Sequence, residues 1–204
     1  MSHLFLPFKV RNELSARLFR LFFKRYFKHF GYNARILAPS GIEGIGNISI
    51  GNGVYIAQHV VLAAVGLTDG KDCILEIGDG THIGRFNHIY ATGHIRIGKH
   101  VLTANNVYIS DNAHSYDAPE KPILDQPVLH KSDVEIGDGS WLGHNVCVIG
   151  ARIGRNCVIG ANAVVTGDIP DYSVAVGAPA RVIKRYDSVA RLWRRTDAQG
   201  RFMP

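Results

Sequence analysis

One histidine stands where side-chain chemistry is easiest to place. His114 lies in the run ISDNAHSYD, where a regular six-residue pattern gives way to residues 112–134, a segment that holds three prolines. A neutral imidazole titrates near pH 7 and can accept the proton of a hydroxyl as that hydroxyl attacks an electrophile. The sequence therefore makes His114 a candidate general base. Asp111, Asp117 or a backbone carbonyl are the alternatives for orienting its ring.

The same histidine also has a purely structural interpretation. The chain contains ten histidines, and a loop histidine can simply close the end of a strand. The repeat in which His114 lies favours the catalytic interpretation more than the residue type does.

Four further histidines raise the question of a metal site. His82, His88, His94 and His100 recur every six residues. If three hexads make one turn of a coil, only His82 and His100, eighteen residues apart, share a side, and we expect them to stack at outward-facing positions. A zinc site needs at least three protein ligands, and the third is not evident. We expect no metal.

A six-residue repeat predicts the framework that positions these residues. An aliphatic residue recurs in phase, usually before a small one, and among fifteen such positions only Thr103 is not aliphatic. A period of six fits neither helix nor simple strand alternation, but suits short strands joined by turns. The fifth place of each hexad is small or β-branched, except at Asn87. The fifteen positions are Ile50, Ile56, Leu62, Ile77, Ile83, Ile89, Ile97, Thr103, Ile109, Ile136, Leu142, Val148, Ile153, Ile159 and Val165.

From about residue 36 to residue 185 this pattern resembles the hexapeptide-repeat acyltransferases. The resemblance implies an all-β solenoid, a left-handed parallel β-helix in which three hexads make one triangular coil and each coil buries its apolar residues against the next. Insertions at residues 64–76 and 112–134 are expected to form loops on one face. The resemblance also implies a homotrimer with active sites at the subunit boundaries.

Within that family the chain is most similar to the sugar O-acetyltransferases of the galactoside and maltose type and to those that act on surface polysaccharides. His114 matches their catalytic histidine. Asn87 matches an asparagine that contacts the acceptor, although an asparagine ladder inside the coil explains it as well.

Residues 136–184 resemble the part of the family that binds acetyl-CoA. The segment departs from the family pattern at one point, because Val148 and Ile153 are five rather than six residues apart. By residue-wise match, the resemblance assigns Trp141, Gly143 and His144 to the pantetheine, Ala161, Thr166 and Gly167 to its distal half, and Arg181 and Lys184 to the phosphates.

The two ends of the chain are predicted to be basic helices. Residues 1–35 contain a helix over residues 10–29 that is either a cap on the solenoid or a peripheral membrane segment, and we favour the cap. Residues 186–204 contain a second helix over residues 189–202. The apolar face of the first helix is formed by Leu14, Leu18, Leu21, Phe22 and Phe30.

Composition limits the remaining classes of function. The net charge of +6 lies mostly at the two ends, and no basic stripe interleaved with aromatic residues is present, which disfavours nucleic acid as a partner. Cys73, Cys147 and Cys157 form no CxxC pair, and basic residues interrupt any signal-peptide core, so we expect a cytoplasmic protein, with the inner face of the membrane as the alternative location.

The resulting hypothesis is an acetyl-CoA-dependent O-acetyltransferase acting on a sugar hydroxyl in surface polysaccharide or lipopolysaccharide synthesis. Two other classes compete with it. One is a metal enzyme like the γ-type carbonic anhydrases, which share the fold and use three histidines. The other is a β-helix scaffold without catalysis.

Overall fold

The computed structural model describes residues 6–66, 73–197 and 200–203. These residues begin with helix α1 (Leu6–Phe23) and continue as short strands, with 3-10 turns at Lys24–Tyr26, Ile45–Asn47 and Ile123–Asp125. The predicted insertion at residues 64–76 lies partly outside the described residues.

Most strands belong to three sheets, which we call A, B and C. Sheet A contains β1 (His29–Phe30), β4 (Ile48–Ile50), β7 (Ile74–Ile77), β10 (His94–Ile97), β15 (Val134–Ile136) and β18 (Arg152–Ile153). Sheet B contains β2 (Arg35–Ile36), β5 (Tyr55–Ile56), β8 (His82–Ile83), β11 (Leu102–Thr103), β16 (Trp141–Leu142), β19 (Val158–Ile159), β21 (Ser173–Val176), β22 (Arg181–Asp187) and β23 (Leu192–Arg195). Sheet C contains β3 (Gly41–Glu43), β6 (Val61–Ala64), β9 (His88–Ala91), β12 (Tyr108–Ser110), β17 (Cys147–Ile149) and β20 (Val164–Val165).

Successive strands visit the three sheets in turn. β1, β2 and β3 lie in sheets A, B and C, and β4 returns to sheet A beside β1 in parallel register. We call each such passage a coil. A long insertion leaves this path after β12 and forms a separate antiparallel hairpin of β13 (Asn112–His114) and β14 (Val128–His130).

The repeat residues form the interior of the coils. All fifteen predicted positions, including Thr103, are buried, with at most 2% of their surface exposed. In sheet A, for example, Ile77 pairs with Ile97, and Ile136 pairs with Ile153. The six-residue period therefore predicted the core correctly, because one inward side chain per side is what closes each coil against the next.

One coil is longer than the family pattern predicts. His82 pairs with Leu102 rather than with His100. Thr92 and Gly93 lie between β9 and β10 and add two residues to this coil. The expected stacking of His82 and His100 is therefore wrong. With two added residues, the residue that stacks on His82 lies 102 − 82 = 20 positions later instead of eighteen.

The connection between Val148 and Ile153, which is one residue shorter than the repeat, contains a glycine with a left-handed backbone conformation. Gly150 has a φ of 53°, in the left-handed region that a residue without Cβ adopts most easily. Its N–H donates to the carbonyl oxygen of Ser110 at 2.9 Å. Trp141 still pairs with Val158 in sheet B, so the missing residue leaves that register intact.

The predicted helix over residues 10–29 is too long at its C-terminal end. α1 ends at Phe23, and His29 already belongs to β1 in the first coil, so the boundary expected at residue 36 comes too late. Phe27 is buried and packs edge-on against Phe30 at 5.0 Å between ring centroids. This aromatic contact draws residues 27–30 onto the coil.

The predicted C-terminal helix over residues 189–202 is wrong. β22 and β23 instead form an antiparallel hairpin that extends sheet B. The Asp187 carboxylate accepts hydrogen bonds from the N–H groups of Val189 and Ala190 and fixes the turn. Tyr186 and Trp193 then pair across the hairpin, with 5.7 Å between their ring centroids. Cross-strand pairing has overridden the local helical preference.

Candidate active site

His114 is presented by the hairpin that interrupts the coil. It is the last residue of β13 and pairs with Val128 of β14, and the N–H of Ser115 donates to the carbonyl oxygen of Pro127 at 2.9 Å. Its side chain is exposed. Among the described residues its ring has no hydrogen-bond partner, so both imidazole nitrogens are available for chemistry.

Neither candidate carboxylate orients the His114 ring. Asp111 is fully buried, and its carboxylate accepts hydrogen bonds from the N–H groups of Thr92 and Gly93 at 2.7 to 3.0 Å. It also accepts from the Thr92 hydroxyl and the Asn112 amide. Asp117 accepts from the Ser115 hydroxyl at 3.2 Å. Asp111 therefore fastens the base of the hairpin to the neighbouring coil, rather than acting on the histidine directly.

A second histidine, which the sequence did not single out, lies at the same base. The His130 Nδ1 atom is 3.8 Å from Asp111 Oδ2, and its Nε2 atom is 3.2 Å from Asp133 Oδ1. Its ring covers Gly93, where a Cβ atom would lie 2.6 Å from the ring. No sequence signal marks His130. It comes close to Asp111 only because β13 and β14 pair so that His130 lies opposite Asn112, the residue after Asp111.

Part of the predicted cofactor set lies on the corner between sheets B and C. Gly143 and Ala161 are on adjacent coils, and a Cβ atom at Gly143 would lie 2.7 Å from the Ala161 nitrogen. His144 Nε2 is 3.5 Å from the amide nitrogen of Asn106. Trp141 precedes this corner on β16 and is 46% exposed. Trp141, His144 and Ala161 are exposed, whereas Gly143 is buried, and we call these four residues the corner strip.

Another part lines a separate open groove. Thr166, Gly167 and Arg181 face a space of about 500 Å³ together with Arg185. We call it the arginine groove. Lys184 is not among the residues that line it.

Arg185 is a residue that sequence reasoning missed. Its Nε atom is buried and has no hydrogen-bond partner among the described residues. A buried guanidinium nitrogen without a partner is costly unless an acceptor binds there. Arg185 also lines the arginine groove, so an anion bound there would lie beside its guanidinium group. The sequence contained a weak signal, because Arg181, Lys184 and Arg185 form a basic cluster. Only the structure shows that Arg181 and Arg185 line the groove.

Asn87 is part of a coil corner. Its side chain is 1% exposed, and its amide donates to the carbonyl oxygens of Gly84 at 2.7 Å and Ala104 at 2.8 Å. These contacts correspond to the asparagine-ladder interpretation. For the same amide to contact a sugar acceptor, this corner of the coil would have to open.

The cysteines are poor nucleophiles. Burial raises the pKa of Cys73 to about 11, and burial also raises the pKa of Cys147 and of Cys157. Because the thiolate is the reactive form, these shifts disfavour a covalent intermediate on sulfur.

Metal ligands are not assembled in the part of the chain that the structure describes. Within those ranges no three His, Cys, Asp or Glu side chains come together as a metal site. His82 lies beside Tyr55, with 5.5 Å between the ring centroids, rather than beside another ligand.

A single chain keeps the candidate residues apart. The hairpin with His114 leaves the coil after β12 of sheet C, on the way to sheet A. Gly143, His144 and Ala161 lie at the corner between sheets B and C.

Known proteins share this repeat and this fold. The family model described as the hexapeptide repeat of succinyl-transferase matches residues 133–167. The chain is 39% identical over 176 residues to a probable acetyltransferase of Mycobacterium tuberculosis, a match that covers 83% of this chain but 56% of that protein. It is 33% identical over 172 residues to the putative lipopolysaccharide biosynthesis O-acetyl transferase WbbJ of Escherichia coli, covering 80% of this chain and 85% of that protein.

A solved structure with the same fold is that of AntD, an N-acyltransferase from Bacillus cereus, in complex with dTDP and 3-hydroxybutyryl-CoA. The two align with a TM-score of 0.68 and 22% sequence identity, over 82% of this chain and 87% of that one. Together with the match along most of the Escherichia coli relative and the matching repeat, the buried hexads place this chain in a known family: it belongs to the hexapeptide-repeat acyltransferases.

Proposed function

We propose that this chain is an acetyl-CoA-dependent O-acetyltransferase that modifies a sugar hydroxyl during synthesis of a surface polysaccharide or lipopolysaccharide. The observation that carries the proposal is the exposed His114 ring on a hairpin fastened at its base by buried Asp111. Membership of the acyltransferase family supplies the reaction class. The Escherichia coli relative, named for lipopolysaccharide biosynthesis, supplies the acceptor class.

In the proposed mechanism His114 acts as a neutral base. Its ring accepts the proton of the sugar hydroxyl while the oxygen attacks the thioester carbonyl carbon. A backbone N–H stabilises the negative charge on the carbonyl oxygen. The new C–O bond is retained, the C–S bond breaks, and the leaving thiolate of CoA takes up the proton. Transfer is direct, in keeping with the raised pKa values of the cysteine thiols.

The donor would occupy the corner strip and the arginine groove. The narrow pantetheine arm would contact the corner strip, Trp141, Gly143, His144 and Ala161. The coils are stacked closely there, so their surface is flat enough for the arm to lie along it. Thr166 and Gly167 would lie near its distal half. Arg181 and Arg185 would bind the phosphates through charge-assisted hydrogen bonds, a role for which the unpaired Arg185 Nε is suited.

We further propose that the coil is left-handed and that three copies assemble, so that each active site combines His114 of one copy with the donor-binding residues of another. The separation of the two residue sets within one chain supports this arrangement. Asn87 would then brace the corner, and its assignment to the acceptor is the weaker of the two interpretations because its amide is buried.

The product distinguishes this proposal from its rivals. The protein is incubated with acetyl-CoA and a panel of glycosides, nucleotide sugars and amino sugars, and free CoA and the product mass are followed. An O-acetyl ester is cleaved by mild alkali, whereas an N-acetyl amide survives. An alkali-labile product is the expected result. An alkali-stable product would make the enzyme an N-acyltransferase, and bound acetyl-CoA without turnover on any acceptor would favour the scaffold.

A further inference from the structure

Helix α1 carries apolar residues on two opposite faces. The inner face packs on the first coil through Ala16, which is buried, and Phe19, whose ring centroid is 6.3 Å from that of Phe27. Polar contacts flank it, since Arg35 pairs with Glu13 at 2.6 Å and Arg20 donates to the Gly31 carbonyl oxygen at 3.1 Å. The helix is therefore attached to the coil, as expected for a cap.

The outer face consists of large apolar side chains that remain exposed. They recur three, four or seven residues apart, the spacing that aligns side chains along one side of a helix. Four of them belong to the apolar face predicted from the sequence, and packing on the coil does not use them. The outer face comprises Val10 (60% exposed), Leu14 (57%), Leu18 (46%), Leu21 (67%) and Phe22 (58%).

The charges around this outer face have one sign. Arg17, Lys24 and Lys28 are exposed along and just beyond the helix. The acidic residue of α1 is Glu13, and it is paired with Arg35 on the side that faces the coil. A second copy presenting the same face would bring like charges together. An anionic surface would complement them.

We propose that the outer face of α1 docks on an anionic lipid bilayer. An amphipathic helix with apolar residues on one side and cations at its margins lies in the plane of the interface, with its apolar side chains among the lipid headgroups. Basic residues near such a surface strengthen binding to acidic phospholipids. None of the described helices is long and apolar enough to cross a bilayer, so the docking is peripheral.

The test is sedimentation of the full-length protein with vesicles of phosphatidylcholine alone and of phosphatidylcholine with 30% phosphatidylglycerol. Two variants probe the two contributions: Leu14→Ser with Leu18→Ser and Leu21→Ser for the apolar side chains, and Arg17→Glu with Lys24→Glu for the charges. Val189→Ser, which removes a side chain that is 94% exposed at the other end of the chain, is the matched control. Circular dichroism melting and light scattering check folding and oligomeric state for each.

We expect the wild type and the control to bind the anionic vesicles and not the neutral ones. Both variants should bind at least about tenfold more weakly while melting normally, and raising the salt concentration should weaken wild-type binding. Equal binding by the apolar variant would overturn the proposal, as would failure of the wild type to bind. A change of oligomeric state in the apolar variant, without any vesicle binding by the wild type, would assign the face to a contact between copies instead.

Discussion

The Nδ1 atom of His130 lies 3.8 Å from the Oδ2 atom of Asp111, at the base of the hairpin that carries His114. His130 also reaches Asp133 at 3.2 Å. No hydrogen bond to the described residues satisfies the buried Nδ1 nitrogen, and the Asp111 carboxylate is the acidic group beside it at the point where β14 approaches the end of β12. His130 is thus a positioning residue in the proposed mechanism.

Replacing His130 should impair catalysis more than donor binding. We expect His130→Ala to lower kcat by about tenfold or more, because small displacements of a catalytic group are costly. KM for acetyl-CoA should change little, since the donor residues lie on other coils. Steady-state kinetics beside His29→Ala, an exposed histidine of β1, provide the check. An unchanged kcat would remove His130 from the account.

Asp111 should matter for stability as well as activity. Its buried carboxylate accepts hydrogen bonds from Thr92, Gly93 and Asn112, and Asp111→Ala would leave their donors unpaired. We expect the free energy of unfolding to fall by about 3 kcal/mol. Chemical denaturation measures it, with the exposed Asp125→Ala expected to stay within about 0.5 kcal/mol of the wild type. Equal losses in the two variants would contradict the role given to Asp111.

Arg185 should bind the donor phosphates. Arg185→Ala is expected to raise KM for acetyl-CoA by about tenfold, through loss of charge-assisted hydrogen bonds. The smaller donor acetyl-pantetheine lacks the phosphates, so its KM should not change. Lys184→Ala, the adjacent cation outside the arginine groove, serves as the control. A larger loss in that control would show that the phosphates bind beside Lys184 rather than in the arginine groove.

Cys73 should resist alkylation at neutral pH. Burial raises the pKa of the Cys73 thiol to about 11, from an ordinary value near 9. At pH 8 the thiolate fraction then falls from about 10% to about 0.1%, so iodoacetamide should react slowly and faster only as the pH rises toward 11. Mass spectrometry of the native protein, with the urea-unfolded protein as the control, reports the modified peptide. Rapid labelling of the native protein at pH 7 would mean that Cys73 is not buried as described.

The framework was predictable because its signal is local. Each hexad places one residue, such as Ile109 or Ile136, inside the coil, and the period alone identifies it. The relationship between His130 and Asp111 was not predictable in this way. It depends on the register of two strands separated by a loop, which no spacing in the sequence encodes.

The ends of the chain show the same limit. Residues 192–195 have the composition of a basic helix, yet they form β23 because the edge of sheet B offers hydrogen-bond partners. Lys184 and Arg185 were equivalent as cations in the sequence, and only the pairing of β22 within sheet B shows that Arg185 lines the arginine groove and Lys184 does not. Tertiary pairing, rather than residue type, decided both cases.

The general-base role of His114 is tested most directly by comparing His114→Ala with the wild type. Acceptor-dependent release of CoA and binding of acetyl-CoA are measured on the same preparations. We predict that kcat falls by about 100-fold or more while the Kd for acetyl-CoA stays within about twofold. Undiminished turnover in His114→Ala would contradict the account and show that another group removes the proton.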